Sequence, residues 1–277
     1  MKNFLGVALS VLFFAGSAMA EISVGPIVGY GFGTGKTNFM GGTDYEADQL
    51  GKTTKDKNLY YSAGQGIKLG LGAAYSIEGI SFGLDMGYSM GLEGDLAKFK
   101  TYSAFDSTVY TSSTTMKTSY IFVSPTMQIE KNIMGITPFC GFGFTLALMP
   151  KSIMTSKNSD NDETVWELSH NVGIGKWGTV GIKYALISGL WIIGEIKAEE
   201  LSFKASSGKI TKCIQDTVDQ LPDMTTRDKE CEFRDDDTGD TPTDTTKPDI
   251  AHTFVTAANS ISIRLGIIYS FKIPGAY

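Results

Sequence analysis

Apolar residues alternate with small or polar ones over most of the chain. From Ala63 the odd positions read Ala63, Gln65, Ile67, Leu69, Leu71, Ala73, Tyr75 and Ile77, while the even ones are mostly glycine, with Lys68 among them. The next run sets Ile80, Phe82, Leu84, Met86, Tyr88, Met90 and Leu92 against Ser81, Gly83, Asp85, Gly87, Ser89 and Gly91. Successive side chains of a strand point to opposite faces, so each run predicts a strand with one fatty face and one small, polar face. Six further segments read as strands: 22–33, 115–130, 135–149, 171–187, 190–203 and 258–271. The phase of 115–130 is muddled around Tyr120-Ile121-Phe122-Val123, as a bulge would make it. Residues 132–150 carry no charge and approach the length of a membrane helix. Their alternation, and Gly135, Pro138, Gly141 and Gly143 among them, favour a strand.

The connections alternate in length. Short turns fall at Glu78-Gly79, 131–134 and Ser188-Gly189, and long polar connections span about 34–62, 93–113, 150–169 and 205–252. Eight strands joined in this way predict an all-β fold, a transmembrane up-and-down antiparallel β-barrel with short periplasmic turns and long extracellular loops. The fatty face then meets lipid and the small, polar face fills the lumen.

Composition and charge sharpen the picture. Residues 1–20 read as a Sec signal peptide, with Lys2 as the positive region, an apolar stretch from Phe4 to Ala15, and Ala18-Met19-Ala20 as the cleavage pattern. The expected mature barrel domain is 21–277. The chain holds 24 basic and 30 acidic residues, a net of −6, and 205–252 alone contains 12 acidic and 6 basic ones. With no basic stripe, a nucleic-acid partner is not expected. The acidic segment is expected outside the membrane, where it is solvated.

These features resemble the small outer-membrane barrels, the OmpA transmembrane domain and OmpX-like group. The stretch Ile263-Arg264-Leu265-Gly266-Ile267-Ile268-Tyr269-Ser270-Phe271 is similar to the C-terminal signal read by barrel-assembly machinery, with either Phe271 or Tyr277 as the terminal aromatic. The resemblance implies the cell outer membrane of a Gram-negative-type envelope. Implied partners are its lipid and lipopolysaccharide, the assembly machinery, and an extracellular ligand or host surface.

Candidate chemistry is sparse. Gly31-Phe32-Gly33-Thr34-Gly35-Lys36-Thr37 lacks the first glycine of a phosphate-binding loop, since Tyr30 stands there. Asp235-Asp236-Asp237-Thr238-Gly239-Asp240 sets its glycine one place early for a calcium loop and reads as solvated acid. His170 and His252 lack metal-site spacing and are expected at a wet external rim. Cys213 and Cys231 share the acidic segment and suggest a disulfide in an oxidising compartment; Cys140 falls on the lipid-facing phase. Neither metal nor cofactor is expected.

The lumen phase carries Lys68, Asp85, Lys183, Glu195, Lys197 and Arg264. An eight-stranded barrel is just wide enough for side chains to fill it, so these charges are expected to pair into a plug, Lys183 with Glu195 across the hairpin. The sequence therefore predicts a non-enzymatic surface protein, serving envelope integrity or recognition and adhesion through 34–62 and 205–252. A small diffusion channel and a rim-sited enzyme modifying lipid A are the alternatives.

Overall fold

A computed structural model describes residues 20–34, 43–48, 52–59, 61–102, 108–235 and 244–272. The signal segment up to Met19 and the terminal Tyr277 lie outside these residues. Eight strands form the frame: β1 (Ala20–Gly33), β2 (Gly66–Ile77), β3 (Ile80–Gly91), β4 (Val109–Glu130), β5 (Ile136–Asn158), β6 (Gly173–Ile187), β7 (Leu190–Gln215) and β8 (Ser260–Lys272). Each pairs antiparallel with the next. β8 returns to β1 in a register running from Glu21 opposite Lys272 to Gly33 opposite Ser260. The ring is closed. Closure leaves no unpaired strand edge within the ring, as a spanning sheet in hydrocarbon requires.

The three tight turns lie at one end. Glu78 and Gly79 both take positive φ, 49° and 87°, which suits a two-residue connection between twisted strands. The β4–β5 turn places Met134 and Gly135 in the same region, with Ile133 bridging Ile136. Gly79 and Gly189 carbonyls accept from the amides of Glu130 and Ser270, so the turns are bonded to neighbouring strands.

Outward positions form an apolar belt. Val28, Leu69, Met86, Phe142, Val180, Ile196 and Leu265 are all exposed, one from each of seven strands, with Ile129 on β4. The inward positions of the same strands are mostly Gly, Ser, Thr and the charged set, with Phe139, Trp177 and Ile193 buried among them. The disturbance on β4 has two causes. Tyr120 and Phe122 point inward as large fillers, 1% and 8% exposed, against the fatty-out rule of β2 and β3. A bulge exists, but on the partner strand: Ser119 faces Lys151 and Ile121 faces Leu148, leaving an extra residue on β5 where Met149 has φ 49°. Below it the even residues of β5 face out; above it Lys151 and Ile153 do.

The loops depart most from expectation. β4, β5 and β7 continue past the belt, so 150–158 and 205–215 are strand rather than loop. They are joined by Gly94–Tyr102 on β4 and by Glu163–His170, which lies between β5 and β7. Thr43–Ala47 and Thr53–Asn58 extend this sheet on one side, Glu230–Arg234 and Asp249–His252 on the other. The result is an open extension of the same sheet above the barrel, the crown. The physical reason is amphipathicity in the opposite sense: Met116, Met154, Trp166, Leu168 and Phe203 turn inward over the barrel mouth, and paired charges such as Lys151–Glu167 at 3.0 Å face out.

Candidate functional site

The lumen positions its charges through strand parity. Lys68 on β2, Asp85 on β3, Glu195, Lys197 and Glu199 on β7 and Arg264 on β8 converge at mid-barrel. Lys68 and Lys197 reach Glu199 at 2.7 and 3.3 Å, while Arg264 spans Asp85 at 2.6 Å and Glu195 at 2.9 Å. Hydroxyls complete the set: Thr145 donates to Glu199 at 2.5 Å and Thr179 to Glu195 at 2.9 Å. Lys197 lies 4.5 Å above the Trp177 ring. Five of these side chains, those of Lys68, Glu195, Lys197, Glu199 and Arg264, are under 10% exposed.

One expected pair is corrected. Lys183 does not meet Glu195. An irregularity between Ala185 and Ile187 sets the register so that Lys183 faces Ile193, while Glu195 faces Gly181 on one side and Arg264 on the other. Lys183 bonds instead to Glu130 near the turn end. Glu199 and Glu130 were not among the expected lumen set, although Glu199 shares the parity of Glu195 and Lys197.

The network fills its space. The cavity among Lys68, Asp85, Tyr120, Lys197, Glu199 and Arg264 measures about 10 Å³, scarcely room for one water. Lys68, Lys197, Arg264 and Lys183 are matched in number by Asp85, Glu195, Glu199 and Glu130, so these paired side chains balance in charge. Nearer the tight turns a larger cavity of about 220 Å³ opens, lined by Glu21, Glu78, Glu130, Asn132, Lys183 and Trp191 among others.

The remaining sequence candidates separate. Cys213 faces Thr164, whereas Cys231 faces Gly208, five residues earlier on β7. Five strand rises are roughly 16 Å, well beyond the roughly 7 Å reach between α-carbons of a disulfide. The structure therefore does not join Cys213 to Cys231, and the Cys231 thiol points to the Glu232 carbonyl. Cys140 is exposed on the belt. Asp235 pairs with Lys204 at 2.9 Å, and 236–243 lie outside the described residues. No group of three or more His, Cys, Asp or Glu residues that could hold a metal occurs among the described residues.

His252 is exposed on the edge strand Asp249–His252, but His170 is not a wet rim residue. It is 7% exposed because the crown strands close over it. Its Nε2 lies 2.8 Å from Ser152 Oγ. That pair superficially suggests nucleophilic chemistry, yet Ser152 is fully buried and Nδ1 meets no partner among the described residues. A base needs an orienting group and a nucleophile needs access to substrate; this arrangement has neither.

The closed ring, belt, short turns and long upper connections together decide the architecture. It is that of the small outer-membrane barrels. No protein-family model matches the chain, and no curated protein does. Among solved structures it is similar to Neisserial surface protein A, at 10% identity over 93% of this chain and 100% of that one, with a TM-score of 0.37. It is similar to a major outer membrane protein of Thermus thermophilus at 13% identity, over 91% and 99% of the two chains, with a TM-score of 0.40. Ail, the attachment invasion locus protein of Yersinia pestis, solved with the heparin analogue sucrose octasulfate, matches at 8% identity, 92% and 99% coverage and a TM-score of 0.32. The barrel assignment rests on this chain's own strand pairing.

Proposed function

We propose that the chain is a non-enzymatic surface protein of the outer membrane, in which a sealed barrel holds a β-rich crown outside the cell. The observation that carries this reading is the close-packed network of paired charges at mid-barrel, inside an apolar belt. A pore needs an aqueous path, and here that path is filled by ion pairs and by Tyr120 and Phe122. A binding protein needs a rigid mount, which cross-braced strands supply, and a presented surface, which the crown supplies. Its partners would be lipid and lipopolysaccharide around the belt, the assembly machinery during insertion, and a ligand or host surface met by residues within 34–62 and 205–252.

Refolded protein in planar bilayers should give no steady conductance. Steady open channels in the unmodified protein would refute the sealed mount and favour a diffusion channel. Protease applied to intact cells should cut within 216–248 before any barrel strand; protection there until the periplasm is opened would invert the topology.

A further inference from the structure

Among the features that the sealed-mount reading leaves unused is a buried polar thread through the apolar interior of the crown. The Tyr61 hydroxyl donates to Thr118 at 3.1 Å, Thr118 lies 2.8 Å from Ser152, and Ser152 lies 2.8 Å from His170 Nε2. This thread joins four parts of the chain: the segment before β2, β4, β5, and the end of Glu163–His170. His170 is its terminus. The His170 ring stands edge-on to Phe203 at 4.9 Å and to Phe254 at 6.3 Å, and Phe254 in turn packs on Phe233 at 5.3 Å.

We propose that His170 is an acid-sensitive latch: neutral, it holds the crown shut over the barrel mouth, and protonated, it releases the crown. The geometry supplies the reason. A neutral imidazole needs one acceptor for its N–H and one donor for its lone pair, and the Ser152 hydroxyl serves one ring nitrogen. The imidazolium carries two N–H donors, and Nδ1 has no acceptor among the described residues. A charge there would be stranded among Phe203, Phe254 and Leu168.

No neighbouring charge relieves this. On β5, Lys151 turns outward to Glu167 of the same crown sheet, and on β7 Lys204 turns outward to Asp235. On β4 and the segment before β2, the titratable groups reaching inward are the phenols of Tyr120 and Tyr61, uncharged in acid. Asp249 stands three strands further along the crown sheet. Burial alone accordingly holds the His170 imidazolium down, to about 4 from the ordinary 6.5. Because the folded value lies below the unfolded one, the latch is fully closed above pH 6.5 and weakens as the pH falls toward 4.

Release would uncover Trp166, Phe203, Phe233 and Phe254, turning a polar outer surface into an apolar one. The barrel strands below keep their own closed ladder, so opening is local to the crown.

Amide hydrogen exchange on the refolded full chain in micelles, corrected for the intrinsic pH dependence, tests this. Protection of Glu163–His170 and of the upper half of β7 should fall about 20-fold between pH 7 and pH 5 by linkage, while the lower half of β7 stays protected. His170→Gln should abolish that change. An unchanged crown in the parent protein overturns the latch, and so does an equal change in His170→Gln, which would place the response in carboxylates. Should His170→Gln fail to fold, His252→Gln leaves His170 as the single histidine, and its NMR titration decides: a midpoint below 5 supports the latch and a midpoint near 6.5 overturns it.

Discussion

Lys68 and Glu199 meet at 2.7 Å although β2 and β7 share no backbone hydrogen bond. The same holds for Arg264 on β8 with Asp85 on β3, and for Lys183 on β6 with Glu130 on β4. These ties run across the lumen, not along the wall, and brace the barrel where neighbouring strands cannot.

Removing Glu199 should therefore cost more than removing Glu195. Glu199 answers both Lys68 and Lys197, and its loss strands buried charge, at about 3–5 kcal/mol for a dry site. Glu195 shares Arg264 with Asp85, so Glu195→Gln leaves Arg264 paired. Urea unfolding of the refolded variants in micelles should rank Glu199→Gln as the less stable; the reverse order would mean that Asp85 does not carry Arg264 alone.

The acid response has a size as well as a sign. His170 held to about 4, against 6.5 in a solvated chain, withdraws up to about 3 kcal/mol of crown stability once the pH lies below 4. Nothing is withdrawn above pH 6.5. Thermal unfolding of the crown, followed by Trp166 emission with Trp177 and Trp191 replaced by Phe, should show its midpoint falling between pH 6.5 and 4 and flat between 7 and 8.

Cysteine position reports the membrane boundary. A fluorophore on Cys140 in Cys213→Ser/Cys231→Ser protein should be quenched by nitroxide-labelled lipid and ignored by aqueous iodide. Cys213 alone should show the opposite pattern. Peptide mapping of the parent protein under oxidising conditions should recover no 213–231 cross-link.

Deletion separates mount from crown. Excising 206–251 removes the upper part of β7, against which Glu163–His170 pairs, and uncovers Leu168, Trp166 and Met154. The shortened chain should still insert and resist sodium dodecyl sulfate when unheated, but bind an apolar dye that the parent protein excludes. Loss of insertion would mean that the crown is needed to close the ring.

Much of the barrel was legible because its physics is periodic. The fatty outer face and glycine-rich inner face of β2 and β3 read directly as strands, and Glu78-Gly79 read as a turn because a charged residue and a glycine fall between the two alternating runs. Parity also placed Lys68, Asp85 and Arg264 in the lumen. Legibility failed where one rule hid another. Tyr120 and Phe122 fill the lumen with apolar bulk and interrupt the polar face of β4 between Thr118 and Ser124, and the bulge at Met149 reverses the phase of β5. The crown strands went unseen because their inward face is fatty only in places, at Met154, Trp166 and Leu168, among many serines, threonines and lysines. Glu199 was within reach of the same parity that placed Glu195 and Lys197. No sequence pattern announced Glu130 as the partner of Lys183, since that contact skips a strand and depends on the one-residue slip near Ala185.

The placement of the lumen charges also has a consequence for assembly. The first four strands bring Glu21, Lys68, Asp85 and Glu130 inward, two net negative charges; the last four bring Lys183, Glu195, Lys197, Glu199 and Arg264, one net positive. Each half-sheet is therefore an incomplete electrolyte that hydrocarbon would reject, and Lys68, Asp85 and Glu130 find their partners only when the two are brought face to face in the native register. Seam formation between β1 and β8 is thereby proofread: a ring closed one residue out of step would turn Arg264 toward lipid and leave Asp85 unanswered.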